Sequence, residues 1–195
     1  MHILFCHDTY YARDKAGKTY AYGSFPYALW ETRFLPHFER MTVIGREKAC
    51  DVREIKSLDV SSGKNVEHIL LPNINAPLKR LLNGQEIYLK IEDQVKQADA
   101  VIIRGPVEFG MMAAKAARAH GKPYAIEMSG CAFDNVWYHG SKIGKIYAPL
   151  KYLRGRHMVA KADQVILRFG RYPPRNLILF RDSADYGVFA DRSRR

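Results

Sequence analysis

A chain of 195 residues, 47% of them hydrophobic, is sized for one compact domain with a substantial core. Lys and Arg outnumber Asp and Glu by 31 to 20, a net charge of +11 that favours polyanionic partners: nucleic acid, an anionic membrane surface or phosphorylated ligands. Cys6, Cys50 and Cys131 stand far apart without a C-x-x-C pair, which argues against a disulfide frame or a cysteine zinc site. The seven histidines show no metal-ligand spacing. The opening "MHILFCHDTYY" carries no basic leader, and no stretch reaches the roughly 18 apolar residues that span a bilayer. A cytoplasmic protein without a secretory signal is the expectation.

In chain order, short apolar runs recur at 2–6, 41–45, 67–71, 100–103, 124–128 and 164–167. Most are continuous rather than alternating, the mark of strands covered on both faces. Helical patterns separate them. "SFPYALWETRFLPHF" places Ser24 as an N-cap, with Tyr27, Leu29, Trp30, Phe34 and Leu35 near a 3.6 period and Pro36 closing it. The interval 46–66 lacks a helical stripe and reads as a short strand or hairpin. Ile87, Ile91 and Val95 form an i, i+4 stripe in "GQEIYLKIEDQVKQAD". "VEFGMMAAKAARAHGKP" presents Phe109, Met112, Ala116 and Ala119 to one side and stops at Gly121. Strands alternating with helices in this way predict an α/β fold, a Rossmann-like open and mainly parallel sheet.

In such sheets ligands sit beyond the carboxyl ends of the strands, so the loops 7–23, 104–108 and 129–142 are the candidate sites. The first is too long for a simple strand-to-helix link. Gly23 and Ser24 would open a helix whose N-H groups suit a phosphate or a sugar hydroxyl, or form an ordinary cap. There is no G-x-G-x-x-G and no P-loop. Arg104, in "IIRGP", either binds an anion or pairs with a structural carboxylate. In the third loop Ser129, Asp134 and His139 lack the G-x-S-x-G elbow of a hydrolase. Trp137 and Tyr138 beside His139 suit an apolar or sugar face, or a lid tacked onto the core. Between Ser141 and Lys161 lie six Lys/Arg and no acid, interleaved with Ile143, Ile146, Leu150 and Leu153. That segment is either a membrane-surface helix or a solvated basic one.

Across "GKTYAYGSFPYALWETRFLPHFERMTVIGR" (17–46), "ADAVIIRGPVEFGMMAAKAARAHGKPYAIEMSG" (98–130) and "HMVAKADQVIL" (157–167), the chain resembles the N-terminal half of family 4 glycosyltransferases, particularly those of exopolysaccharide and capsule synthesis. The resemblance covers about residues 1–168 and implies a GT-B protein's N-terminal, acceptor-binding domain. The donor partner would be a nucleotide-sugar and the acceptor a glycan or lipid-linked sugar, with no cofactor, and nucleic acid is not expected.

Gly23 matches a position where relatives carry a glycine pair near the donor phosphates, with Ser24 replacing the second glycine. The loop after "YAIEM" would face the cleft, making Arg104, Asp134, Trp137 and His139 the candidate acceptor-side residues. Residues 169–195, "FGRYPPRNLILFRDSADYGVFADRSRR", leave the family pattern and lack the donor domain's glutamate pair. They are expected to be a divergent, disordered tail of a truncated product that is inactive alone. The alternative is a non-catalytic Rossmann-like module binding a polyanion or lipid-linked sugar. A peripheral position at the inner membrane would follow from the basic segment.

Overall fold

The computed structural model describes residues 1–74, 77–105, 107–128, 137–138, 142–167 and 177–178. The expected strands all form: β1 (His2–Arg13), β3 (Arg40–Glu47), β5 (Val66–Leu71), β6 (Ala100–Gly105), β7 (Tyr124–Met128) and β8 (Gln164–Leu167), joined by short β2 (Thr19–Ala21), β4 (Asp59–Val60) and β9 (Leu177–Ile178). The helices are α1 (Tyr27–Arg33), α2 (Val52–Ile55), α3 (Pro77–Gln97), α4 (Glu108–Ala119) and α5 (Lys142–Ala160).

The main sheet runs β5-β3-β1-β6-β7-β8-β9 with every neighbouring pair parallel. The chain winds outward from β1 through β3 to β5, then returns to β6 on the other side of β1 and winds away. Its direction reverses between β1 and β6, and the crevice of a doubly wound sheet opens at such a point. Side chains alternate across the sheet. Ile3, Phe5 and Ile102 meet Trp30 and Phe34 of α1 on one face, while Leu4, Cys6, Val101 and Ile103 meet α3, α4 and α5 on the other.

Two sequence details explain how the strands are set. An Ala-Asp pair precedes both β6 and β8. Asp99 accepts the backbone N-H of His2 at 2.6 Å and Asp163 that of Tyr124 at 2.8 Å, so each carboxylate holds the start of the neighbouring strand. At the end of α4, Gly121 adopts φ +62, and the Lys122 N-H reaches back to the Ala117 carbonyl at 2.8 Å. This is the left-handed stop for which glycine is suited.

Several expectations need correction. The segment 7–23 is mostly hairpin: β1 continues past a register shift between Cys6 and Tyr10, and Tyr11 to Arg13 pair antiparallel with Thr19 to Ala21. Asp14 closes the turn by accepting the N-H groups of Ala16 and Lys18. The interval 46–66 contains the short strand β4, paired with β2, and also the single turn α2, which Asp51 caps through the N-H groups of Arg53 and Glu54.

Ser24 is not the N-cap of α1. Phe25 turns into the core with φ +132, and the helix starts only after Pro26. In α3 the stripe Ile87, Ile91 and Val95 is buried as expected. In α4 the buried surface is wider than one stripe: Phe109, Ala113, Ala114, Ala116 and Ala117 are covered while Ala119 is exposed, because β1, β6, α3 and α5 all pack around the helix.

Candidate functional site

The carboxyl edge at the switch point gathers charge. Asp8, just past the bend in β1, is buried; its Oδ2 accepts from Arg46 Nη2 at 2.8 Å and its Oδ1 from the Phe109 N-H at 3.3 Å. The protein's own carboxylate therefore occupies the N-terminal end of α4, where an anion would otherwise be favoured. Burial raises the Asp8 pKa, with Arg46 pulling against it. His7 accepts the Thr9 N-H at Nδ1, 3.0 Å away, and stacks obliquely on Phe25. Burial, reinforced by Arg104 and Arg46, lowers its pKa to about 3, so the ring is neutral.

Phe25 organises the loop before α1. Its ring lies 5.1 Å from Trp30 and parallel to it within 6°. Its carbonyl accepts the Ser61 hydroxyl at 2.7 Å. Ser61 Oγ also contacts Trp30 Nε1 and His68 Nε2, both at 3.0 Å, so one fully buried hydroxyl ties the loop to α1 and β5. Held this way, Phe25 sustains a φ that non-glycine residues avoid. Gly23, at φ +89, is exposed, with open space where a side chain would stand, and Ser24 beside it is exposed too.

Arg104 leaves the end of β6 and lays its guanidinium over Phe25, 4.9 Å from the ring centre. Glu127, its cross-strand partner on β7, is fully buried. Its Oε1 lies 4.0 Å from Arg104 Nη1 and 3.5 Å from Arg33 Nη2 of α1. Of the two expectations for Arg104, the structure bears on the carboxylate: Arg104 faces Glu127 without bonding it closely.

Among the other candidates, Trp137 and Tyr138 are exposed at 40% and 74%, with Lys145 Nζ 5.9 Å from the centre of the Trp137 ring. Asp134 and His139 lie outside the described residues, as does most of the segment after Leu167, apart from β9. Arg33, Glu127, Asp8 and Ser61 were missed. Glu127 had a readable signal, a carboxylate inside the otherwise apolar "YAIEM"; Arg33 had none, since it reads as the polar side of a helix.

Beside this edge, Glu108 ties three helices together. It is buried and meets Arg80 of α3 at 2.9 Å and Arg154 of α5 at 3.4 Å, and both arginines donate to the Tyr147 hydroxyl. Outward of that clamp, Leu78, Leu81 and Leu82 on α3 and Ile146, Leu150 and Leu153 on α5 are all more than half exposed. Pro149 lies inside α5 without ending it, so the three α5 residues form one outward stripe. No helix among the described residues is long and apolar enough to cross a membrane.

Fold and edge together define a Rossmann-like α/β unit with a crevice at the β1/β6 switch point, the place where sheets of this kind bind ligands. The chain is 32% identical over 155 residues to Protein CapJ of Staphylococcus aureus, a match covering 79% of this chain and 38% of CapJ. In structure it is similar to Phytolacca americana UGT2, solved with UDP-2fluoro-glucose and pterostilbene. That likeness has a TM-score of 0.50 and 14% identity, and covers 87% of this chain and 48% of the other. It is also similar to a UDP-N-acetylglucosamine 2-epimerase, with a TM-score of 0.50 and 10% identity, covering 99% of this chain and 50% of the other. No protein-family model matches. The chain thus spans about half the length of the solved structures and less of CapJ.

Proposed function

We propose that these residues form the acceptor-side domain of a family 4 glycosyltransferase of capsule or exopolysaccharide synthesis. The reaction would move a sugar from a nucleotide-sugar to a glycan or lipid-linked acceptor. The observation that carries this reading is the switch-point edge, where Arg104, Arg33 and the Gly23-Ser24 loop converge in a fold shared with half of a UDP-sugar-bound protein. The similarity to CapJ supports the setting.

In this reading the edge is one wall of a cleft. Arg104 and the loop bearing Asp134, Trp137 and His139 contact the acceptor, and Gly23 and Ser24 approach the donor phosphates. The open space before Gly23 permits that approach, whereas the start of α4 is filled by Asp8 and is not the phosphate site. A second wall, supplied by a donor domain, completes the catalytic centre, so the 195 residues alone bind ligand without turning it over. In this reading the apolar and basic surface of α3 and α5 meets an anionic membrane, within reach of lipid-linked acceptors.

Purified chain incubated with a panel of nucleotide-sugars and a lipid-linked acceptor tests the reading, with and without an added donor domain of a capsule glycosyltransferase. Binding of the acceptor without transfer by the chain alone is expected. Transfer by the chain alone would show that it holds both walls, and failure to bind any sugar ligand would overturn the assignment.

A further inference from the structure

Between α4 and the second half of α5 lies an open groove of about 390 Å³, within the size range of small-ligand pockets. Its floor is apolar: Met111 and Met158 are buried there, and Leu153, more than half exposed, lines it too. No carboxylate lines it. Lys115 and Arg118 are exposed on one face of α4, three residues apart, a spacing at which like charges repel. Among the described residues neither has an ion-pair partner: Lys115 Nζ lies 4.6 Å from the centre of the Tyr88 ring, and Arg118 donates to the Tyr124 hydroxyl at 3.3 Å. The exposed side chain of His157 makes no hydrogen bond or ion pair among the described residues. Arg154 differs, being held at 3.4 Å by Glu108 at the end of the groove nearer the start of α4. The unpaired charge is therefore concentrated at the other end, around Lys115, Arg118 and His157.

The outward stripe of α5 leads into this groove. Ile146, Leu150, Leu153 and His157 follow one another at i, i+4, i+7 and i+11 on one face of the helix, and the three apolar residues are all more than half exposed. A free phosphate would leave this apolar surface in water. An amphiphile with an anionic end and a hydrocarbon end covers both parts.

We propose that the groove binds the phosphate headgroup of one anionic phospholipid, with its acyl chains laid along Leu153, Leu150 and Ile146 toward the start of α5. The Arg118 fork meets two phosphoryl oxygens at once, and Lys115 adds a second positive charge beside them. This site goes beyond the sugar-transfer reading and uses none of the residues assigned there to the sugar ligands, so either can fail without the other. It adds one saturable lipid site to the diffuse attraction of a basic surface.

The test is calorimetric titration of the 195-residue chain with dihexanoylphosphatidylserine below its micelle concentration, at fixed ionic strength. Lys115→Met, Arg118→Met and Leu153→Ser are titrated alongside. Lys15→Met, in the exposed turn between β1 and β2, is the control for general attraction to a basic protein. One saturable site is expected, weakened at least fivefold by Lys115→Met or Arg118→Met, at least threefold by Leu153→Ser, and unchanged by Lys15→Met. Absence of saturable binding, or equal weakening by Lys15→Met, would overturn the site. Arg118→Met removes a bond to the Tyr124 hydroxyl; should it not fold, Lys115→Met and Leu153→Ser, both at exposed positions, decide.

Competition identifies the occupant. Inorganic phosphate, and dihexanoylphosphatidylcholine with its neutral headgroup, should displace the anionic lipid only at concentrations at least tenfold higher. Inorganic phosphate binding as tightly as the lipid would make this a phosphate site and overturn the lipid assignment. Poly-glutamate binding more tightly than the lipid would make it a surface for an acidic protein and overturn the assignment too.

Discussion

The Ser61 hydroxyl donates to the backbone carbonyl of Phe25 at 2.7 Å, across 36 residues of sequence and in a fully buried setting. This bond fixes the strained residue beneath Arg104, so the floor of the candidate site is held from β4's side of the molecule rather than by its own loop. The same oxygen serves Trp30 and His68. Ser61→Ala should therefore leave more than one buried polar group without a partner, at about 1–3 kcal/mol each. Urea unfolding followed by tryptophan fluorescence should show a loss of at least 2 kcal/mol. A change below about 0.5 kcal/mol would mean that the bond does not hold the loop.

The packing of α4 against β6 gives a second prediction. A Cβ at Gly110 would stand 2.4 Å from Ile103 Cγ2, on a fully buried β-branched side chain with no room to move aside. Gly110→Ala gains about 1 kcal/mol in helix propensity but overpacks the contact by about 1–3 kcal/mol. Net destabilisation of about 1–2 kcal/mol is expected in chemical denaturation. A stabilised variant would show that α4 lies farther from the sheet.

Why some of this was legible and some was not follows from what each residue needed in order to be read. The runs at 2–6, 100–103 and 124–128 announce buried parallel strands because both faces are covered and few polar residues interrupt them. "HDTYYAR" announces nothing: its strand character depends on pairing with Thr19 to Ala21, a tertiary fact. Ser24 looked like a cap because Ser ahead of a run with helical period is a sound local signal, but burial of Phe25 between Phe5 and Trp30 moved the start of α1 past it. Arg104 was readable because the end of a buried strand is a fixed place in this kind of sheet. Its companion Arg33 came from a helix 94 residues before Glu127, and no local pattern carries that distance.

Acid should destabilise the fold through two buried neutral histidines. Burial lowers the pKa of His7, helped by Arg104 and Arg46, and that of His68, helped by Arg13, each to about 3. In the unfolded chain both return to about 6.5. Between pH 6.5 and 3 the unfolded state therefore binds protons that the folded state refuses, and stability falls as pH falls. The slope is at most about 1.4 kcal/mol per pH unit for each histidine. Asp8, with its pKa raised by burial, offsets part of this at the acid end. Urea midpoints measured from pH 7 to pH 4 should decline steadily, and His7→Gln should flatten the decline. A pH-independent midpoint over that range would contradict the buried, neutral state of both rings.

The last prediction concerns the outer surface of α3 and α5. Leu78, Leu81 and Leu82 sit in the first two turns of α3 and Ile146 and Leu150 in the first half of α5, each more than half exposed. Both helices begin at the carboxyl edge, since each follows the end of a parallel strand, and the bond from Arg80 to Tyr147 holds them side by side. Exposed apolar residues therefore lie at the same end of the molecule as Arg33 and Arg104. Lys79, Lys142 and Lys145 are exposed around them, so at an anionic membrane apolar insertion and attraction to the headgroups would act together. Each cation near the surface contributes about 1 kcal/mol, and burying a leucine in the acyl boundary about 1.5–3 kcal/mol.

Sedimentation with vesicles containing phosphatidylserine should carry the chain down, and 0.5 M salt, or neutral vesicles, should release most of it. The double variant Leu81→Asp, Ile146→Asp alters only exposed positions, so the fold should persist while partitioning drops at least tenfold. A decrease with salt but none with the double variant would reduce the contact to electrostatics alone, with the leucines facing something other than lipid. Equal sedimentation onto neutral and anionic vesicles would remove the basic residues from the explanation.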